Sequence, residues 1–268
     1  MATDFSTQYI RKSEKRIKYT SLYFRMKYWK YIYKVRFFLR DLMKNRFYPN
    51  SVDCALTDNL EKSAVHFQKH GWAYIENILS KEFHQELIKN WPCRIWFNPP
   101  NNIVKSYDSG FGWSYGNPPI LNTDIYNQHK TIKKFFNLLH SKEFENRITK
   151  FVGRNKDFIC YSYTVNSTYV GSEVMPHKDS IKDDPKAKNG FLNIVFFING
   201  TGGKNSGNLS LSLDNELKDL IVEPENLKNA CLIYDSLADF YHGFSPVAKG
   251  KFRWAINSQF CERGYVEQ

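Results

Sequence analysis

The spacing of apolar side chains divides the chain into a helical first part and a strand-rich second part. Before residue 154, apolar residues recur every three or four positions, as in Ile132, Phe135, Phe136 and Leu139, which is the pattern of a helix with one buried face. After residue 154, short β-branched and aromatic runs alternate with turn formers, which predicts a sandwich, jelly roll or barrel. The predicted strands are 157–163, 168–175, 191–198, 207–213, 219–223, 230–235 and 252–260.

Two helices and a strand are predicted near the start of the helical part. Residues 57–70 have helical periodicity and end at Gly71. Residues 80–90 form a second predicted helix, in which the Ser80 hydroxyl can cap the first turn. The segment 72–75 between them combines aromatic and β-branched residues and predicts a strand.

A long loop is predicted over residues 99–119, which are rich in Gly, Asn, Pro and aromatic residues. Loops of this length inside a compact domain are often lids or binding loops. Its aromatic side chains either stack on a substrate ring or pack the loop itself. The candidate substrate-binding residues are therefore Tyr107, Trp113 and Tyr115.

The positive charge of the chain lies in its N-terminal part. The formal net charge is +11, and residues 11–47 alone contain 13 Lys and Arg against two acidic residues, so the remainder is neutral. Residues 17–47 lack Gly and Pro and have a basic amphipathic pattern, which predicts a helical extension over 1–50. Such a helix packs on the neighbouring domain, lies on an anionic membrane, or contacts a nucleic acid or a protein partner. A nucleic-acid partner is disfavoured because the remaining domain is neutral.

Cysteine usage and hydropathy indicate a cytoplasmic protein. The five cysteines are scattered and form no close pair, which is typical of reduced thiols. The first residues contain no continuous apolar run of the kind found in signal peptides, and no stretch approaches the roughly 18 apolar residues that span a bilayer. We therefore expect peripheral membrane contact at most, and we make no prediction of the oligomeric state.

Candidate metal ligands lie in the strand-rich part. His177 and Asp179 are two residues apart, which places both side chains on one face of an extended segment. A second imidazole, His242, follows just beyond the strand predicted at 230–235. Two imidazoles and one carboxylate form the facial set that leaves three positions of an octahedral iron open. Zinc is the competing metal, because the same ligand types serve catalytic zinc sites.

A candidate carboxylate-binding cation opens the last predicted strand. Arg253 faces the same way as Ala255 and Asn257 in an extended chain, and its planar fork suits a carboxylate. The alternative is an arginine that forms a salt bridge at the rim of the barrel. Lys251, on the same face, is the rival for the co-substrate.

Taken together, these features resemble the Fe(II)/2-oxoglutarate-dependent oxygenases, particularly the prolyl-hydroxylase-like and phytanoyl-hydroxylase-like branches. The resemblance covers roughly 60–268 of the chain. Its parts are the segments 67–80, 206–211 and 230–235 and the residues His177, Asp179, His242 and Arg253, the last followed by Trp-Ala-Ile.

The resemblance implies a mainly β domain with flanking helices over 55–268, built as a double-stranded β-helix of the jelly-roll, cupin-like kind. Helical support at 55–153 and a β-helix core at 154–262 would follow. It implies Fe(II) bound by the three ligands, 2-oxoglutarate bound by Arg253, and O2 as the oxidant. A small molecule, sugar or lipid-linked metabolite is the expected substrate, and a peptide hydroxylase, a zinc hydrolase or a non-catalytic jelly-roll binding protein are the alternatives.

One strand departs from the pattern of the family. Several relatives have a tyrosine late in this strand, whose hydroxyl helps to bind the far carboxylate of 2-oxoglutarate, whereas this chain has Phe196 and Phe197. The candidate replacements are Asn193 on the same strand and Tyr161 or Tyr163 on the preceding one.

Overall fold

The computed structural model describes residues 56–92, 129–179 and 190–263, and the backbone of 108–114. The predicted extension over 1–50 lies outside these residues, so that extension and the domain boundary beside it stay predictions. The helices are α1 (Asn59–Lys62), α2 (Ala64–His70), α3 (Lys81–Lys89), α4 (Lys130–Leu139) and α5 (Lys142–Val152). The strands are β1 (Trp72–Glu76), β2 (Asp108–Ser114), β3 (Phe158–Thr168), β4 (Val174–His177), β5 (Leu192–Gly200), β6 (Ser210–Ser212), β7 (Leu220–Val222), β8 (Ala230–Asp235), β9 (Tyr241–Phe244) and β10 (Arg253–Glu262).

The helix ends follow local signals in the sequence. Ser80 caps α3, where its hydroxyl accepts a hydrogen bond from the Phe83 amide at 3.4 Å, as predicted. Gly71 ends α2 in the left-handed conformation with φ 76°, which glycine adopts without steric cost. The helix predicted at 57–70 is divided at Ser63 into α1 and α2. Among the described helices, none is long and apolar enough to cross a membrane.

The strands form two antiparallel sheets that face each other. The six-stranded sheet has the order β1-β8-β5-β10-β3-β2, and the four-stranded sheet has the order β4-β9-β6-β7. Apolar residues of both sheets pack together between them, including Phe197 and Leu232 from the larger sheet and Leu211 and Phe244 from the smaller one. This is a jelly-roll arrangement, which the family resemblance implied and which is one of the three architectures that the strand pattern predicted.

The helices cover the outer face of the six-stranded sheet. Phe135 of α4 contacts Phe196 of β5 with ring centroids 5.1 Å apart, and Phe136 stacks on Tyr163 of β3 at 3.9 Å. Because successive side chains of a strand point to opposite faces, Phe196 packs under the helices and Phe197 packs between the sheets. The strand β5 is therefore buried on both sides, and its inner residues face the space between the sheets.

The structure differs from the predicted strands at four places. The structure has one long strand, β3, where the prediction ended a strand at residue 163, and a short β4 instead of a strand over 168–175. The predicted loop 99–119 contains β2, which is rich in Gly and Ser and forms a strand by pairing with β3. β9, four residues long with a glycine and a histidine, was not predicted because it lacks the apolar alternation of a strand.

Candidate metal and co-substrate site

Two histidines face each other across a pair of antiparallel strands in the four-stranded sheet. β4 ends at His177, and the strand register pairs this residue directly with His242 of β9. Their ring centroids are 4.2 Å apart. Asp179 follows β4, and its Oδ1 atom lies 3.7 Å from His242 Nε2. One ligand atom from each of the three side chains lies within 4.8 Å of the other two.

The chemistry of this donor set fits a divalent transition metal such as Fe(II). His177 Nδ1 donates a hydrogen bond to the Met175 carbonyl at 2.8 Å, so Nε2 is the nitrogen that the neutral imidazole offers to a metal. Burial lowers the pKa of His242 to about 4; the Asp179 carboxylate opposes this shift and His177 adds to it. His242 is therefore a neutral imidazole at neutral pH, the form that binds metals. The structure thus brings together the three predicted ligands, whose role as ligands stays a prediction.

A cavity of about 240 Å³ between the two sheets joins the three candidate ligands to Arg253. Arg253 is 1% exposed, and its Nη1 donates to the Gly207 carbonyl at 2.5 Å. The Phe244 ring lies 4.6 Å from its guanidinium carbon. Arg253 thus lines the same cavity as the candidate ligands, and its guanidinium is a group suited to binding a carboxylate.

Gly207 lies close to Arg253, and its carbonyl accepts the hydrogen bond that anchors the guanidinium. Its φ is 81°, a conformation that favours glycine. A Cβ atom at this position would lie 3.1 Å from Thr168 Oγ1 and 3.3 Å from Val247 Cγ2. A side chain at this position would strain the backbone and would press on the side chains of Thr168 and Val247.

The other predicted co-substrate residues divide between the two faces of the sheet. Asn193 lines the cavity, where its Nδ2 donates to Asp179 Oδ2 at 2.8 Å. Tyr163 is buried against Phe136 on the helical side and does not line the cavity. Tyr161 packs against Phe191, with ring centroids 5.0 Å apart.

Lys251 is not among the residues that line the cavity. Its Nζ donates instead to the Gly202 carbonyl at 3.1 Å. Of the two cations weighed from the sequence, only Arg253 is brought to the candidate ligands.

Five uncharged polar residues of β3 and β10 line the cavity. They were not predicted as site residues. The alternation of strand residues could have identified Asn257 and Gln259, which share the face of Arg253 on β10, but it could not have identified Ser258 or the two residues of β3. The five residues are Ser162, Thr164, Asn257, Ser258 and Gln259.

Of the three aromatic residues expected to contact substrate, one lies in the described part of the chain. Tyr107 and Tyr115 lie outside the described residues. Trp113 lies on β2, where the register pairs its backbone with Tyr163 of β3. Their contact with substrate stays a prediction.

Comparison with solved structures finds the same fold in several oxygenases. A prolyl hydroxylase from Trichoplax adhaerens, solved with a peptide fragment of the hypoxia inducible factor oxygen degradation domain, has a TM-score of 0.56 and 14% identity; the match covers 78% of this chain and 93% of that one. A prolyl-4-hydroxylase from Pseudomonas putida has a TM-score of 0.52 and 15% identity over 76% of this chain and 99% of that one. A 2-oxoglutarate-Fe(II) oxygenase family oxidoreductase from Burkholderia pseudomallei has a TM-score of 0.51 and 12% identity over 80% and 95%.

These likenesses establish the class of fold. The chain has the jelly-roll fold of the 2-oxoglutarate-Fe(II) oxygenases, as the resemblance in its sequence implied. No family model and no curated protein sequence matches the chain.

Proposed function

We propose that this chain is an Fe(II)- and 2-oxoglutarate-dependent oxygenase. The observation that carries the proposal is the presence of two imidazoles, one carboxylate and a buried arginine around a single cavity. Three protein ligands on one face of an octahedral ion leave three positions for a bidentate 2-oxo acid and O2. A zinc hydrolase would use the same three ligands but would have no role for Arg253.

Each residue has a distinct role in this proposal. His177, Asp179 and His242 hold the metal, and Arg253 binds the far carboxylate of 2-oxoglutarate and so fixes its orientation. The loaded centre supplies the oxidising chemistry, in which one oxygen atom enters the substrate and the other enters succinate as CO2 is released. The apolar side chains of Val195, Leu209 and Phe244 line the same cavity and limit the access of water.

We further propose that the substrate is an uncharged small molecule bearing hydroxyl groups, such as a sugar or a lipid-linked metabolite. The cavity wall from β3 and β10 consists of hydroxyl and amide side chains, which both donate and accept hydrogen bonds. Its charged groups, among the described residues, are those assigned to the metal and co-substrate. A peptide is the alternative, because the hydroxylase from Trichoplax adhaerens was solved with one. Succinate release in the presence of sugars and of peptides separates the two classes.

An anaerobic titration tests the proposed activity. Apo-protein receives Fe(II) and then 2-oxoglutarate while the visible absorption is followed. We expect a weak metal-to-ligand charge-transfer band, which His177→Ala abolishes because one ligand is lost. His66→Ala, an exposed histidine on α2, is the matched control and should keep the band. If the wild type binds metal but gives no band, a zinc site or a non-catalytic barrel replaces this proposal.

A further inference from the structure

A chain of hydrogen bonds leads across three strands to the candidate ligand Asp179. Ser162 of β3, Gln259 of β10 and Asn193 of β5 lie side by side, because the register pairs Gln259 with both of the others. Ser162 Oγ donates to Gln259 Oε1 at 2.9 Å, and Gln259 Nε2 donates to Asn193 Oδ1 at 3.1 Å. Asn193 Nδ2 then donates to Asp179 Oδ2 at 2.8 Å. We refer to Ser162, Gln259 and Asn193 as the relay.

The direction of every bond in the relay follows from the carboxylate at its end. An ionised carboxylate only accepts hydrogen bonds, so Asn193 must turn its NH2 group towards Asp179. Its amide oxygen then faces Gln259, which must present its own NH2 group. The Gln259 oxygen is left to accept from the Ser162 hydroxyl. The amide orientations therefore depend on one another, and none can turn alone without losing a bond.

The relay distinguishes the two oxygen atoms of Asp179. Oδ2 accepts the hydrogen bond from Asn193, whereas Oδ1 is the atom 3.7 Å from His242 Nε2. A carboxylate that binds a metal through one oxygen occupies one coordination position. A carboxylate that binds through both oxygens occupies two. With two histidines, only the first arrangement leaves three positions of an octahedral ion open.

We propose that Asn193, held by Gln259 and Ser162, is a positioning residue that fixes the Asp179 carboxylate through Oδ2 and so presents Oδ1 to the metal. This inference rests on the proposed function and deepens it. It assigns Asn193 a role different from the contact with 2-oxoglutarate expected from the sequence, since its nitrogen binds Asp179 and its oxygen binds Gln259. Asn193 is 5% exposed, so little water competes for these bonds.

Substitution of Asn193 by leucine, which has similar volume and no hydrogen-bonding group, tests the relay. The full chain is titrated with Mn(II), a redox-stable probe for the Fe(II) site, and then with 2-oxoglutarate at saturating Mn(II). We expect Asn193→Leu to weaken Mn(II) binding about 10- to 100-fold, as loss of a hydrogen bond to a metal ligand typically does. The affinity for 2-oxoglutarate at saturating metal should be unchanged. Gln68→Leu, which removes an amide bonded to the Phe151 carbonyl far from the cavity, is the control and should leave both affinities unchanged.

A double variant tests whether Gln259 acts through Asn193. Gln259→Leu alone should weaken Mn(II) binding about tenfold, at the lower end of the same range. Gln259→Leu combined with Asn193→Leu should be no weaker than Asn193→Leu alone, because the two residues act in series. If Asn193→Leu does not fold, Gln259→Leu, one step further from Asp179, carries the test by the same titration.

The outcomes separate this inference from the proposed function. Wild-type protein that binds neither Mn(II) nor Fe(II) would overturn both. A folded Asn193→Leu variant with unchanged metal affinity would overturn the relay and leave the proposed function standing. Loss of 2-oxoglutarate affinity with normal metal affinity would instead make Asn193 a direct co-substrate ligand and also overturn the relay.

Discussion

At the scale of single residues, burial and hydrogen bonding decide which of the two cations near the start of β10, Lys251 or Arg253, can interact with a ligand in the cavity. Lys251 binds a backbone carbonyl away from the cavity, and its flexible stem offers a single charged group. Arg253 is fully buried, held by the Gly207 carbonyl and packed beside Phe244. A guanidinium presents its N–H groups as a rigid fork, so this anchored side chain suits one orientation of a bound carboxylate.

Arg253→Lys should weaken 2-oxoglutarate binding and leave metal binding intact. Lysine keeps the charge but loses the fork, and the loss of one hydrogen bond to a charged group, about 1.5–3 kcal/mol, corresponds to a dissociation constant about 10- to 100-fold higher. Calorimetric titration of the Mn(II)-loaded protein with 2-oxoglutarate measures the change. Lys251→Met is the control and should bind 2-oxoglutarate as the wild type does. A reversed result, with Lys251→Met impaired and Arg253→Lys normal, would restore Lys251 as the co-substrate ligand.

The candidate site residues that the sequence indicated and that line the cavity are ionisable or metal-binding side chains beside or within strand-forming segments. His177, Asp179 and His242 stand out because imidazoles and a carboxylate flank strand-forming segments, and Arg253 because it opens an apolar strand. Tyr163 was chosen for its hydroxyl, but strand alternation turns it towards the helices. Uncharged residues such as Thr164 gave no signal in the sequence, because the face of β3 that lines the cavity is known only once its pairing with β10 is fixed.

At the scale of elements, the predictions succeeded where a segment carries its own signal and failed where a neighbour imposes the structure. The helix α3 has a capping serine and a strand such as β8 has a continuous apolar run, so both were predicted. β2 and β9 lack a continuous apolar run. They form strands because β2 pairs with β3 and β9 pairs with β4. The position of His242 opposite His177 therefore could not be predicted as a strand pair, although both residues were predicted as ligands.

Gly207, in the segment before β6, should affect the affinity for 2-oxoglutarate because its carbonyl anchors Arg253. Gly207→Ala places a methyl group against Thr168 and Val247, and we expect this to shift the carbonyl that anchors Arg253. We expect a loss of stability of about 1 kcal/mol or more from the left-handed backbone, and weaker 2-oxoglutarate binding in addition. Denaturant unfolding and co-substrate titration measure the two effects.

Gly250→Ala is the matched control for that variant. Gly250 has φ 79°, close to the value at Gly207, but an added Cβ would meet no atom within 4 Å. It should therefore lose similar stability through the backbone and keep its affinity for 2-oxoglutarate. Equal co-substrate affinity in the two variants would show that the Gly207 carbonyl does not position Arg253.

At the scale of the whole molecule, the charge is divided between two parts of the chain. The excess of basic residues lies in 11–47, and the remainder, which includes the whole of the described β structure, is neutral. We propose that the basic segment brings the domain to an anionic membrane surface, a location that suits a lipid-linked substrate. Packing of the same segment on the domain is the alternative.

Replacing Lys27, Lys30 and Lys34 by glutamine should reduce binding to anionic vesicles. Each lysine near an anionic surface contributes about 1 kcal/mol, so the loss of three lowers the partition coefficient about 100-fold at moderate salt. Sedimentation with vesicles that contain phosphatidylserine measures it, and the difference should shrink as salt screens the charges. The control replaces the exposed lysines Lys62, Lys69 and Lys81 of the described domain by glutamine, which removes the same charge from elsewhere. If both triple variants lose the same affinity for the vesicles, only net charge matters. If neither variant loses affinity, the basic segment does not bind membranes, and packing on the domain is the better interpretation.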